Sequence, residues 1–545
     1  MSNIFEISGE SMKAADIARV AYDFDIKIKL SEGACEAIVK SRQLLDDLLA
    51  QGKVIYGVNT SMGGFVKYLI PEKHAAHMQD NLIAAVATNV GSYFDDPIVR
   101  AAMLARINSL ARGVSAISLD NMKKFVAIFN HGICPCIPQK GSLGTSGDLG
   151  PLAAIALALT GKWQVRYRGE VMAASDALKA AGIEPLKLSY KEGLALINGT
   201  SAMTGLACLT INDTEKIIES YESITALTLE TLKGKRKAFS PLVHAEKPHP
   251  GQMASATNIY NLLADSTMLS DEDSVSKELR SKLSDDVVDS AEDQIEDAYS
   301  LRCTPQILGP IRDSVEYVKR VVENELNSSS DNPLIIPKHG DAYHNGHFHG
   351  QYIAMAMDHL SLALTTLSNL SDRRIDRFMD SNNSNGLPPF LCASEQGIRL
   401  GLMGGQFMSA SLTSENRSLC VPLSIQSLPS TADFQDIVSL GLVAARRARE
   451  IFDNAVYVIS FELLCGCQAA DIRGADKLGT HTTTLYNAVR RFVPFFDQDK
   501  PLTPYLENIA SFIRGGMIQL SVPTERVNVS QGFNKVGCTL TPEFH

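Results

Sequence analysis

The sequence predicts a mainly α-helical protein in which a loop-bearing N-terminal portion sits on a large central helical bundle. Three observations predict that class. Stretches with apolar residues recurring every three and four positions dominate the chain from about residue 211 onward. Strand-like patterns are confined to short pieces before that point. The composition, 45% hydrophobic and 21% charged over 545 residues, supplies ample material for a buried core, with no fixed-period repeat and no low-complexity tract.

Taken in order, the first forty residues form a short helix-rich lead-in. Residues 53–55 are a brief stretch that enters a polar, glycine-rich segment, 56–64. The helical period returns over 77–130. Residues 132–150 are rich in Gly, Pro and Ser and read as a loop. An apolar helix restarts at 151–159, with Pro151 in its first turn. Residues 163–169 suit a small strand or hairpin. Long helices then follow at 211–233, 309–327, 350–371, 430–467 and 505–518. In 350–371, Ile353, Met355, Met357, Leu360, Leu362, Leu364 and Leu367 surround nearly the whole circumference. Such a helix is buried, either in a large core or against other subunits. Residues 271–297 are the most acidic part and read as a solvated helix or loop. The expected divisions are an N-terminal domain at 1–210, a central bundle at 211–490 and a C-terminal helical cap and tail at 491–545.

The bulk properties narrow the function. A net charge of −10 without a basic stripe argues against nucleic acid. The first twenty residues lack a basic stretch followed by an apolar run, and apolar runs such as 152–159 fall short of the ~20 residues that span a bilayer. The chain reads as soluble and cytoplasmic, with no membrane partner. Its ten cysteines include no CxxC pair, only CxC pairs at Cys134/Cys136 and Cys465/Cys467, and are expected to be reduced thiols.

Residues 141–150, Gly-Ser-Leu-Gly-Thr-Ser-Gly-Asp-Leu-Gly, stand out. A flexible Gly/Ser loop is the plain reading. A phosphate loop fails, because no Gly-Lys-Ser/Thr follows and Lys140 lies on the wrong side. Internal cyclisation is the sharper reading. Glycine permits the tight bend that lets a backbone nitrogen reach the carbonyl two residues back. Gly147 N could then attack the Thr145 carbonyl carbon and expel one water. Loss of a second water from Ser146 leaves an exocyclic methylidene. The product is 4-methylidene-imidazol-5-one (MIO), an electrophile of a kind that side chains, which are nucleophiles, do not provide.

The segment resembles the cyclising loop of the aromatic amino acid ammonia-lyases and aminomutases, the family of histidine, phenylalanine and tyrosine ammonia-lyases. Eight motifs run in that family's order from about Lys53 to Asp436. The resemblance implies an ammonia-lyase-like fold, an autocatalytic MIO from Thr145-Ser146-Gly147, no metal and a homotetramer whose sites combine several subunits. The family usually has Ala at the Thr145 position, but only the backbone of that residue enters the ring.

Residues 54–60, Val-Ile-Tyr-Gly-Val-Asn-Thr, resemble the segment carrying the catalytic tyrosine. Tyr56 is then the base that takes the β-proton. A free phenol has a pKa near ~10, so the role requires nearby positive charge or donors. Where the family follows with Gly-Phe-Gly, this chain has Ser61-Met62-Gly63-Gly64. Residues 196–200 resemble the segment whose asparagine holds the ring, so Asn198 is expected to donate to an MIO oxygen. Residues 297–306 resemble another signature: Arg302 would clamp the substrate carboxylate, and Tyr299 would sit beside the MIO. From 325–333, Asn327 is expected to help Arg302. From 344–351, Phe348 would pack near the MIO. His347 replaces a usual Asn, and His344, His347 and His349 lack metal-site spacing.

Residues 430–436 resemble the last motif. Gln435 stands where phenylalanine and tyrosine enzymes carry Gln and histidine enzymes carry Glu, and Phe434 replaces a common Asn. An amide suits a neutral ring and a carboxylate an imidazolium. At Ala85-Val86 the chain has neither the histidine of tyrosine-selective members nor the Phe-Leu of many phenylalanine enzymes. Val86 cannot hydrogen-bond a phenol, and a phenol without a partner costs roughly 1–3 kcal/mol. The resemblance thus implies L-phenylalanine as substrate and leans toward the bacterial phenylalanine 2,3-aminomutase branch. The products would be β-phenylalanine, or cinnamate plus ammonia. Tyrosine (β-tyrosine or 4-coumarate) is the runner-up, histidine comes behind it, and an inactive scaffold of the same fold is the remaining alternative. A fumarase-type lyase would need a Gly-Ser-Ser-x-Met-Pro-like loop, which the sequence lacks.

Overall fold

The centre of the molecule is built on five long helices: Ser201–Thr231, Thr304–Leu326, Gln351–Met379, Met403–Leu419 and Gly441–Arg473. This is a computed structural model, and it describes residues 3–283, 288 and 295–516. The Ser201 helix is buried along nearly all of its length despite many hydroxyls. Thr204, Thr210, Thr214, Ser220 and Thr231 each donate to the carbonyl four residues back, which satisfies them inside the core. The Gly441 helix is apolar and long enough to cross a membrane by composition alone, contrary to the sequence expectation, but it is a mostly buried core helix.

In the N-terminal portion Asp96–Ala111 packs on the Ser201 helix, Leu119–Asn130 packs on Asp96–Ala111, and Leu149–Leu159 also meets the Ser201 helix. Ser118 caps the Leu119–Asn130 helix by accepting from Asn121 N. Small sheets decorate the outside. Ile4–Ile7 pairs in parallel with Lys27–Leu30, and a three-stranded antiparallel sheet contains the 164–173 hairpin.

Several expectations need correction. Helical period over 77–130 resolves into three helices, because the strand Val90–Tyr93 intervenes and pairs with Pro138–Lys140. The expected helix 430–467 begins only at Gly441, since Thr431, Ala432 and Asp433 are all left-handed (φ 57°, 51° and 62°). The proposed division at 210/211 falls inside the continuous Ser201–Thr231 helix, and one apolar core spans both sides of it. The Gln351 helix is not buried all round: Tyr352, Met355 and Leu362 expose a stripe on one face. Part of the acidic segment 271–297 and the end of 505–518 lie outside the described residues, as does the tail from 517. None of the nine described cysteines is in a disulfide.

Candidate active site

The tripeptide 145–147 sits on a tight bend. Gly144, Ser146 and Gly147 are left-handed (φ 85°, 49° and 81°), and Gly147 N–H donates back to the Gly144 carbonyl at 3.4 Å. Left-handed backbone at a serine is a stored strain of order 1–3 kcal/mol. The bend is fastened to residue 199: Gly199 N–H donates to Ser146 O (3.0 Å), and Asp148 N–H donates to Gly199 O (2.8 Å). Only glycine fits at 147, because a Cβ there would overlap the Gly199 carbonyl.

Three helices of the bundle start at this bend. Asp148 accepts from Met203 N (2.8 Å) in the first turn of the Ser201 helix. Leu440 N–H, at the head of the Gly441 helix, donates to Leu143 O (3.2 Å). A Cβ on Gly350, at the head of the Gln351 helix, would stand 2.6 Å from Met203 Sδ and 3.0 Å from Ser439 Oγ. The far ends also meet. Arg374 donates to Tyr221 Oη, Thr225 Oγ1 and Glu462 Oε1, so the three helices run away from the bend in parallel. Their three positive poles converge on the tripeptide, which favours negative charge there.

Around the bend the chain gathers several expected residues. Gln435 donates from Nε2 to Ser146 Oγ (3.3 Å). Tyr56 Oη accepts from Gly63 N–H (3.0 Å), and its backbone N–H donates to His344 Nε2 (3.1 Å). Burial raises the Tyr56 phenol above its ordinary value, with the Gly63 N–H opposing. Of the positive charge or donors that the role requires, the Gly63 N–H is one donor, and no charged side chain among the described residues bonds to the hydroxyl. Val86 caps the Ala75–Ala85 helix with its carbonyl facing Gly150. Phe348 lies two residues before Gly350 in the same loop as His344. Phe434 is 49% exposed beside Gln435.

Asn198 departs from expectation in orientation. Its Nδ2 donates to Asp331 Oδ1 (3.0 Å) and to the Asn332 carbonyl (3.1 Å), so both its N–H groups are committed away from the tripeptide. Asp331 is held in turn by Lys191 Nζ at 2.5 Å, with both side chains fully buried. Burial lowers the Lys191 pKa, and the Asp331 charge opposes it. Behind the bend, burial pushes the Asp148 carboxyl up to about 7 and lowers the Arg106 guanidinium to about 10. Asp148 Oδ1 and two of the Arg106 nitrogens have no hydrogen-bond partner among the described residues. The sequence reading missed Lys191, Asp331, Arg106 and Asp148. Asp148 and Asp331 lie inside segments it used, 141–150 and 325–333, but single charged residues carry no sequence mark of burial.

Tyr299 and Arg302 stand elsewhere. Ser300 O, between them, accepts from Arg374 Nε (2.8 Å), at the Thr225 level of the bundle. Met203 and Thr225 lie about six turns apart, roughly 33 Å at 1.5 Å per residue. Within one chain, therefore, neither residue reaches the tripeptide. Tyr299 is 70% exposed, and Arg302 pairs with Glu296 (2.6 Å) while its Nε is left without a partner. Asn327 is a correction. It sits at the opposite end of the Thr304–Leu326 helix from Arg302, where its amide accepts from Met12 N (2.9 Å) and donates to Met12 O and Glu323 O (2.8 Å each). It fastens the N-terminal segment and has no free group for Arg302.

Comparison with known proteins places these features in context. Residues 12–491 match the aromatic amino acid lyase family. The structure of phenylalanine aminomutase from Pantoea agglomerans superposes with a TM-score of 0.90 at 55% identity, covering 94% of this chain and 98% of that one. A tyrosine ammonia-lyase from Cupriavidus metallidurans is 40% identical over 94% of this chain and 96% of its own length. A histidine ammonia-lyase from Caldanaerobacter subterraneus is 39% identical over 94% and 97%.

Proposed function

The chain belongs to the aromatic amino acid lyase family, whose members are ammonia-lyases and aminomutases, and from that premise we propose that it acts on L-phenylalanine, shifting or eliminating the α-amino group. The products are β-phenylalanine, or cinnamate plus ammonia. One observation carries the reading: the strained bend at 145–147, closed on Gly199, lies within hydrogen-bond reach of Gln435 and under three helix N-termini.

The residues fit an MIO. Gly147 has no room for a side chain, Ser146 is already left-handed, and Thr145 contributes only backbone. When formed, the ring supplies an electrophilic carbon that accepts the substrate amine and makes it a better leaving group. Tyr56 takes the β-proton. Burial raises its phenol and the Gly63 N–H lowers it, so the role rests on that donor and on the helix poles that converge at the neighbouring bend. Arg302 already holds one carboxylate, that of the exposed Glu296, and the substrate carboxylate would take its place. Its distance from the bend in one chain, together with the exposed Tyr352, Met355 and Leu362 stripe, supports a homotetramer with shared sites. Gln435 presents a neutral amide, and Val86 offers no partner for a phenol, which favours phenylalanine over histidine and tyrosine.

Incubation with phenylalanine, tyrosine and histidine in parallel, followed by chromatography, tests this. An unsaturated acid marks elimination and a β-amino acid marks the shift. Intact mass should run short by two waters. A chain of full mass, or one preferring histidine, defeats the reading.

Replacing Tyr56 with Phe keeps the ring and removes the base. Turnover is expected to fall by about 10²–10⁴-fold with the two-water deficit intact, as read by mass and steady-state rates.

A further inference from the structure

We infer that Thr431 is a positioning residue that decides which edge of the Gln435 amide meets the substrate; the inference rests on the proposed function. An amide has two unlike ends, an oxygen that accepts and an NH2 that donates. Turning it over barely alters its shape but reverses what it recognises. The site must therefore hold one edge in place.

Thr431 does so. Its Oγ1 donates to Gln435 Oε1 at 2.8 Å, and Ser430 Oγ approaches the same oxygen at 3.4 Å. With the oxygen engaged, Nε2 is turned to Ser146 Oγ. The backbone sets this up: Ser430 and Gln435 exchange two backbone hydrogen bonds (2.9 and 3.3 Å) across a turn of three left-handed residues. None of the three is glycine or asparagine. A β-branched residue at φ 57° is a genuine outlier, so threonine is a costly choice at 431 unless its side chain is used. Both branches are used. The hydroxyl holds Gln435, and the methyl packs on Gly63, whose N–H meets the Tyr56 hydroxyl. One residue thus ties the amide to the loop supporting the base.

The substrate consequence is specific. With its NH2 edge presented, Gln435 disfavours an imidazolium. Released, it can offer its oxygen, which favours one. Thr431→Val keeps shape and β-branching and loses only the hydroxyl. Thr431→Ser keeps the hydroxyl and loses the methyl. A packing role makes serine the worse change and lowers all substrates together. A positioning role makes valine the worse change and alters discrimination.

The experiment uses full-length protein whose two-water deficit has been verified by intact mass. The KM for phenylalanine and the inhibition constant for L-histidine are measured side by side. Thr431→Val should shift the ratio of the two by about tenfold toward histidine, the effect of one lost hydrogen bond. Thr431→Ser should restore most of that shift. Thr431→Ala, which relieves the left-handed strain, should reproduce the valine result and guards against a valine variant that fails to fold. A wild-type ratio in the valine and alanine variants, or a serine variant worse than valine, overturns the inference alone. Wild-type protein of full mass overturns the proposed function and this inference with it.

Discussion

Replacing Ser146 with alanine is expected to leave a folded chain that turns over neither phenylalanine nor tyrosine. The serine hydroxyl is the second water lost in forming the methylidene, so without it the electrophilic carbon cannot arise. The loss of rate should be at least about 10³-fold, the scale seen when a covalent-chemistry residue is removed. The fold should tolerate the change. Ser146 Oγ makes one side-chain contact, with Gln435 Nε2, while the bend is held by backbone bonds to Gly144 and Gly199. Intact mass should show no more than a one-water deficit, with the thermal midpoint close to wild type. A variant that keeps turnover would falsify the assignment of residues 145–147.

The second large effect is on stability. Lys191→Met removes the ion-pair partner of Asp331 in a site with no solvent access, leaving Arg106, which makes no hydrogen bond to it, as the nearby opposite charge. Breaking a buried pair by removing one member costs about 3–5 kcal/mol. The denaturant midpoint should fall accordingly, with little change in slope. The double variant Lys191→Met, Asp331→Asn should recover part of that loss, because the carboxylate that lost its partner is gone while Arg106 keeps Asp148 as its counter-charge. It should not recover activity. Asp331 accepts from Asn198, and an amide in its place no longer dictates which way the Asn198 amide faces. A single variant as stable as wild type would show that the pair carries no such weight.

These two predictions differ in how readable their residues were. Ser146 belongs to a contiguous run that by itself reads as a Gly/Ser loop, and its resemblance to a family's cyclising loop singled it out. Tyr56 and Gln435 sat in short motifs and are brought to the bend. Lys191 and Asp331 are 140 positions apart and look like ordinary surface charges until the fold buries both. The helix start at Gly441 was misread because left-handed Thr431, Ala432 and Asp433 carry no glycine or proline to announce a break. The pairing of Asn327 with Arg302 failed differently. Motif order along one chain says nothing about ends of a helix roughly 33 Å long or more, nor about which copy completes a site. The Asn198 amide shows a third limit: a residue can be named from sequence while the direction of its hydrogen bonds is set by a distant carboxylate.

The bend at 145–147 is not a local structure in time any more than in space. Its fasteners are Gly199, Met203, Gln435 and Leu440, so the full set is in place only once a growing chain is longer than about 440 residues. On the proposed function, ring closure would come late, after the bundle has assembled around residues made long before. Truncated or misassembled chains would keep the intact tripeptide. A two-water deficit would then record more than chemistry: it would date each molecule as one that has finished folding.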